Sequence, residues 1–355
     1  MNKNTTLSFK LRRKLTNFLT TPFTKVGFKS NRKLFNEVNP KVLIVRPNHR
    51  LGNQLMLSAL IQELEHQFPN VEIDLFVKGG LCNILYAENK SVRTIISLPK
   101  KHFKELGDYL TAWFNLRRHR YDLVINTVSY SSSGKLATRL SKANFKIFSL
   151  PENENAVCKH MALIPIEILR KALTFWGVDV ANEPFPNMEL RLTNHELQHG
   201  KEKLSKISKE HNKTIAIYTF ATGAKCKDHT WWVPFYELMK QCFPDYSIIE
   251  ILPFENISQI HFVAPSYYSK DLREIAAVTS QVALWIGTDS GMMHLAAATP
   301  TPVIGLFSVT DSEVYGPYRE NSCSINTEQT TQDSILEQMA KILKATDEYH
   351  ESLEK

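Results

Sequence analysis

Long apolar runs are missing from this 355-residue chain, and with them any segment near the roughly 18 residues that a membrane-spanning helix needs. Met1 to Phe9 lacks the apolar core of a cleavable signal peptide, so the body is expected to stay in the cytoplasm. Cysteines are few and scattered. Cys82, Cys158, Cys226, Cys242 and Cys323 form no CxxC pair and no Cys/His cluster at ligand spacing, which argues against a disulfide framework and against a zinc site. The first strand is followed by neither GxGxxG nor GK[ST], so nucleotide binding by those loops is not expected there. No Asp-x-Asp occurs anywhere, and the usual carboxylate grip on a metal-bound diphosphate is absent with it.

Acids are missing from one region in particular. Met1 to Asn36 holds nine Lys or Arg residues and no Asp or Glu, which leaves 34 bases against 36 acids for the rest of the chain. The net charge of +7 therefore belongs to an N-terminal arm. Within it Leu7, Leu11, Leu15, Phe18 and Leu19 share one helical face, with Lys10, Arg13 and Lys14 off it. Residues 7–35 suit a segment lying on an anionic membrane surface, where each base is worth about 1 kcal/mol. The same pattern suits a helix that packs on the body with a solvated basic face. A nucleic-acid partner is not expected, because the arm lacks aromatic-basic interleaving and the body is slightly acidic.

Beyond the arm, short β-branched runs alternate with longer helical patterns, the signature of parallel βαβ units. Strands are expected at Val42–Val45, Glu72–Val77, Arg93–Leu98, Asp122–Asn126 and Phe145–Phe148, with helices such as Leu55–Phe68 and Phe103–Arg118 between them. A second series is expected at Thr214–Phe220, Ser247–Leu252, His261–Val263, Ala283–Gly287 and Pro302–Phe307. The reading is an α/β chain divided as 1–36 (arm), 37–176 (first Rossmann-like domain), 177–330 (second) and 331–355 (charged C-terminal helix).

Ligands in open parallel sheets sit beyond the carboxyl ends of strands, and three such ends carry chemistry. The first is VRPNHRLGNQL, Val45 to Leu55, in which His49 and Arg50 flank a helix start and Asn53 is an amide suited either to capping or to binding. The second is FATGAKCKDHTWWVPFYEL, where Thr222, Lys225 and Lys227 precede a helix carrying Pro234 in its first turn. A small-residue turn with cations suits a diphosphate, and it also suits a plain surface loop. The third is LWIGTDSGMMHLAAATPTPVIGLF. Here Asp289, Ser290 and Gly291 open a helix whose first N–H groups would meet a phosphate, and His294 lies one turn in. Taken singly, Asp289 also reads as a cap and His294 as a packing residue.

Taken together, Asp-Ser-Gly-x-x-His-x-x-Ala and the Pro-Val-Ile-Gly-Leu-Phe strand resemble the donor-binding motif of the heptosyltransferases of glycosyltransferase family 9. The resemblance runs from about Lys41 to Phe307, strongest at both ends. It implies a GT-B fold, two facing Rossmann-like domains with parallel sheets, nucleotide sugar on the second and acceptor on the first. It implies that Asp289, Ser290 and Gly291 contact the donor's sugar and diphosphate, that His294 supports them, and that Thr222 with Lys225 or Lys227 holds the phosphates. In that family the lysine stands two residues before a tryptophan, where this chain has His229 or Thr230. The family's Leu-Gly-Asp, whose aspartate is the proposed general base, is Leu51-Gly52-Asn53 here, and an amide cannot accept that proton. His49 is then the nearest base, with Asn53 orienting the acceptor; another carboxylate could serve, or transfer is lost. Tyr267 or Tyr268 is a further candidate, for stacking on the nucleobase.

The expected activity is inverting, metal-independent transfer of a sugar, heptose from ADP-heptose, to a lipopolysaccharide-core or related lipid-linked saccharide. It is expected without a cofactor and at the cytoplasmic face of the inner membrane. The alternatives are a catalytically impaired saccharide-binding relative, a transferase using GDP-fucose (RLGNQL also resembles a fucosyltransferase motif), and an epimerase.

Overall fold

Two wholly parallel sheets order the protein, a computed structural model that describes residues 39–101, 105–128, 130–148, 158–175, 177, 180, 183–208 and 213–353. The basic arm lies outside the described residues. In chain order the elements are β1 (Lys41–Arg46), α1 (Leu51–Leu55), α2 (Leu57–Gln67), β2 (Glu72–Lys78), α3 (Leu81–Leu85), β3 (Val92–Leu98), α4 (Leu106–Arg118), β4 (Arg120–Asn126), α5 (Ser132–Leu140), β5 (Lys142–Ile147) and α6 (Ile164–Phe175). They continue as α7 (Asn194–Ile207), β6 (Lys213–Tyr218), α8 (His229–Cys242), β7 (Tyr246–Ile251), β8 (Ser266–Tyr267), α9 (Leu272–Thr279), β9 (Leu284–Thr288), α10 (Gly291–Ala297), β10 (Val303–Phe307), α11 (Ser312–Tyr315), β11 (Cys323–Asn326) and α12 (Gln332–Leu353).

The described residues form two compact units. One holds the chain up to His49 with Ala59–Asn83 and Asn89–Pro186; the other holds Arg50–Ser58, Ile84–Glu88 and everything from Asn187 onward. The first sheet runs β3-β2-β1-β4-β5, and its strands β1 and β2 are buried along nearly their whole length, as in a sheet covered on both faces. Leu43, Val45, Phe76 and Val124 meet Ala112, Leu116 and Ala137 of the helices in its core. Inside this unit Glu63 and Arg170 form a buried two-pronged ion pair, Oε2 to Nη2 at 2.7 Å and Oε1 to Nε at 2.9 Å. Arg170 also donates to the carbonyls of Glu183 and Pro184 and lies over the Phe185 ring, so it fixes the chain as it leaves the unit.

The second sheet runs β11-β10-β9-β6-β7-β8, the same order of a doubly wound fold with one further strand. Ile215, Ile217, Ile286 and Ile304 pack against Trp232, Phe235 and Met339. Thr193 opens α7 with a reciprocal capping box to Glu196. The same carboxylate receives two hydrogen bonds from Arg273 on α9, which also donates to the Arg191 and Ile84 carbonyls. Arg273 is the first cause that holds the Glu196 carboxyl far below its ordinary range, at about 2.

Three expectations are corrected. His261–Val263 is not a strand: His261 (φ 57°) and Phe262 (φ 58°) occupy the left-handed region, and the edge strand is Ser266–Tyr267 instead. The expected Leu55–Phe68 helix is two, because α1 stops at Met56 before α2 begins. Pro234 lies in the second turn of α8, since the helix already starts at His229 behind the Asp228 cap.

Candidate functional site

In each sheet the order reverses at one point, between β1 and β4 in the first and between β6 and β9 in the second, and at such a reversal the two outgoing loops part and leave a crevice. In the second unit Tyr218 pairs with Gly287, so the loops after β6 and β9 leave the sheet side by side. One carries Thr222, Lys225 and Lys227; the other carries Asp289, Ser290 and Gly291. Residues sixty-four positions apart thereby meet: Lys225 Nζ lies 2.5 Å from Asp289 Oδ2.

Asp289 is 5% exposed and does not cap α10. Ser290 does, accepting from the Met293 N–H at 3.4 Å, while the aspartate takes its charge to Lys225 and also accepts from the Thr310 hydroxyl. Two donors on one oxygen fix the carboxylate's direction, and the second oxygen has no hydrogen bond from either of them. The buried carboxylate is steered towards a loop cation rather than towards its own helix, and it ties the loops after β6, β9 and β10 together. Thr310 was absent from the expected set, although its position just past the end of β10, the strand beside β9, marked it for inspection.

The two lysines separate. Lys225 faces Asp289, whereas Lys227 pairs with Glu328. Thr222 is exposed, at the N-cap of a short turn (Gly223–Lys225) to which its side chain gives no capping bond.

Asn53 is not a cap either. Arg50 holds that place in α1, without a side-chain bond to the helix, and Asn53 is the third helical residue, half-buried. α1 belongs to the same unit as α10 and packs on it. A Cβ on Gly52 would fall 2.3 Å from Cδ2 of the buried His294 ring, and one on Gly291 would fall 2.9 Å from the Leu51 Cβ. Both glycines therefore exist for closeness of approach. His294 underpins the Leu51-Gly52-Asn53 turn, which joins the first and third motifs through packing. His49 is exposed and belongs to the other unit, beside Gly79, a residue in the left-handed region at φ 76°.

Glu250 is buried at the end of β7, and burial raises its carboxyl pKa. The hydroxyls of Thr219 and Ser258 donate to it at 2.7 and 2.6 Å, and Ser258 in turn accepts the N–H groups of Ile260 and Phe262. This network holds the loop after β7 against the end of β6. Of the two tyrosines beyond it, Tyr267 is buried with its hydroxyl on Glu274, and Tyr268 is exposed. Only the second presents a ring to solvent.

Comparison with known proteins bears on the fold and the family resemblance. The sequence model of glycosyltransferase family 9 (heptosyltransferase) matches residues 269–343, which include Asp289, Ser290, Gly291, His294 and Thr310. The chain is 22% identical over 290 residues to lipopolysaccharide heptosyltransferase 3 of Escherichia coli (strain K12), covering 76% of this chain and 83% of that one. It is 25% identical over 349 residues to lipooligosaccharide heptosyltransferase 2 of Haemophilus influenzae, covering 88% and 94%. The fold of E. coli heptosyltransferase WaaC, solved with ADP-2-deoxy-2-fluoro heptose, superposes with a TM-score of 0.65 at 17% identity, covering 85% of this chain and 99% of that one. With two parallel sheets in doubly wound order, the chain has the GT-B fold and is similar to the heptosyltransferases of glycosyltransferase family 9.

Proposed function

We propose that the chain transfers heptose from ADP-heptose, with inversion, to a saccharide of the lipopolysaccharide core, working from the cytoplasmic face of the inner membrane. The observation that carries this reading is the buried Asp289 held between Lys225 and Thr310 at the end of β9. It stands in a chain whose relatives are named as lipopolysaccharide and lipooligosaccharide heptosyltransferases.

In the proposed step an acceptor hydroxyl oxygen forms a bond to the anomeric carbon while the bond from that carbon to the diphosphate oxygen breaks. The diphosphate leaves with the electron pair. Lys225, Thr222 and the N–H groups at Ser290 and Gly291 stabilise the charge that develops on it. Asp289 orients Lys225 and contacts the sugar; His294 keeps the Leu51–Asn53 turn in register with it. The acceptor's proton passes to His49, since Asn53 has no basic atom and serves to orient the hydroxyl. Metal assistance is not invoked, because the sequence offers no Asp-x-Asp pair.

A donor panel with purified protein and lipid-linked core acceptor tests this. Release of ADP from ADP-heptose, dependent on acceptor, is expected. His49→Ala is expected to lower turnover by about 10²- to 10⁴-fold, the usual share of a general base, with donor binding unchanged. Release of GDP from GDP-fucose with ADP-heptose inert would move the donor assignment. Conversion of the nucleotide sugar without acceptor would make the chain an epimerase. Asn53 favours one second reading, a saccharide-binding relative that has lost transfer; acceptor binding without turnover of any donor, with Asn53→Asp restoring it, would establish that reading.

A further inference from the structure

Helix α4, in the first unit, carries two apolar faces. One is inward: Ala112 and Leu116 are buried, and the Trp113 ring lies 5.2 Å from that of Phe76. The other points to solvent. Leu106, Leu110 and Phe114 fall at i, i+4 and i+8 on one stripe and are 58%, 61% and 66% exposed. Three large apolar side chains in line at that exposure are a patch, not scatter. The stripe runs into Arg117 and Arg118 at the end of the helix, and the Arg118 guanidinium lies 6.0 Å from the Phe114 ring centre. Among the described residues neither arginine has an ion-pair partner.

Basic charge continues past the helix. Arg118 and Arg120 line one hollow with Lys41 and Arg93, four bases against the acids Glu72 and Asp74. Lys41 is the first residue of β1, and it follows in sequence the stretch 1–36, which holds nine bases and no acid.

We propose that the exposed stripe of α4, with Arg117, Arg118 and the basic edge beside it, is a second membrane-docking surface that seats on anionic lipid together with the arm. Charge selects this occupant over two others. The arm is itself strongly basic and would meet like charge if it lay along α4. A second copy laid antiparallel across a two-fold axis would pair Leu106 with Phe114 but carry Arg117 and Arg118 beyond the apolar stripe, leaving the basic edge at Arg93 and Arg120 unmatched. An anionic bilayer surface satisfies both halves of the feature, with Leu106, Leu110 and Phe114 entering the headgroup boundary and the arginines meeting lipid phosphates. The proposal extends the membrane placement of the proposed function but needs no saccharide, so it stands or falls separately.

The test is co-sedimentation of the full chain with phosphatidylglycerol-rich and with pure phosphatidylcholine vesicles. Binding to the first and not to the second is expected. Leu110→Gln/Phe114→Gln is expected to weaken partition by about tenfold or more, the lower bound for two side chains of this size kept from an apolar phase. Arg117→Glu/Arg118→Glu is expected to weaken it by about tenfold or more, from about 1 kcal/mol for each base removed and the repulsion added. Melting temperatures should match wild type, since all four side chains are on the surface. Undiminished partition of both variants would assign binding to the arm alone and overturn the proposal. Equal binding to both vesicle types would overturn it too, as would a wild-type dimer that Leu110→Gln/Phe114→Gln makes monomeric.

Discussion

Lys225 and Lys227 are two residues apart on one loop and chemically alike, yet they face different carboxylates. Lys225 reaches the buried Asp289, and Lys227 reaches Glu328, a residue 58% exposed at its side chain. An exposed pair contributes little, whereas a charge-assisted bond at a buried carboxylate fixes geometry. Lys225→Ala is therefore expected to weaken ADP binding by about 10- to 100-fold, the worth of one hydrogen bond to a charged group. Lys227→Ala should change it by less than about threefold, and calorimetric titration of the two variants separates them. Tenfold weakening by Lys227→Ala with Lys225→Ala silent would exchange their roles. The placing of Asp289, Ser290, Gly291 and His294 at the end of β9 and the start of α10 was legible because they form a spaced motif. The choice between the lysines was not, because nothing along the chain encodes which cation the end of β9 faces. Thr310 was missed for the same reason: its hydroxyl matters only through a neighbour 21 positions away.

Among the elements, legibility tracked burial. The central strands of both sheets are apolar runs with few competing readings, and Thr214–Phe220 or Ala283–Gly287 differs from β6 or β9 by a residue or two at each end. His261–Val263 was misread because its composition suits a strand while two successive left-handed residues forbid one. The break at Met56 was invisible because Gly52 to Leu64 keeps a helical period throughout, and only the packing of α1 under α10 explains where it stops. That packing makes Gly52→Ala informative. Its new methyl would enter the space of a His294 ring that is 5% exposed, and overpacking of this kind costs about 1–3 kcal/mol. A fall of that size in urea-unfolding free energy is expected, with weaker donor binding, because the His294 ring and the turn cannot both keep their places; a variant as stable and as active as wild type would contradict the packing argument.

The tie between α7 and α9 gives a pH prediction at the same scale. Bonds from Arg273 hold Glu196 near 2 when folded against an ordinary value of 4.5. Its ionised form therefore stabilises the second unit above the unfolded value, and that contribution is lost as pH falls from about 4.5 towards 2. The loss is expected to be on the order of 1–3 kcal/mol. Glu196→Gln should flatten this part of the stability curve, and an equal slope in wild type and variant would assign the acid sensitivity elsewhere.

For the whole molecule, the proposed function divides the labour between two doubly wound sheets by the chemistry at their strand ends. The second unit holds Asp289, Lys225 and Thr310 together; the first holds the exposed His49 and the outward face of α4. The fold is shared with E. coli heptosyltransferase WaaC at 17% identity because strand order depends on apolar pattern, which tolerates wide substitution. If the donor's diphosphate binds only the second unit, its effect on stability must be confined there. A ligand present at about 100 times its Kd stabilises what it binds by about 2.7 kcal/mol, or roughly 5–10 °C for a unit of this size. ADP is therefore expected to raise the calorimetric transition of the second unit by that much. Asp289→Ala should abolish the shift and His49→Ala should leave it whole. A shift that survives Asp289→Ala would place the diphosphate elsewhere, and one lost in His49→Ala would make His49 part of donor binding instead of the base for the acceptor.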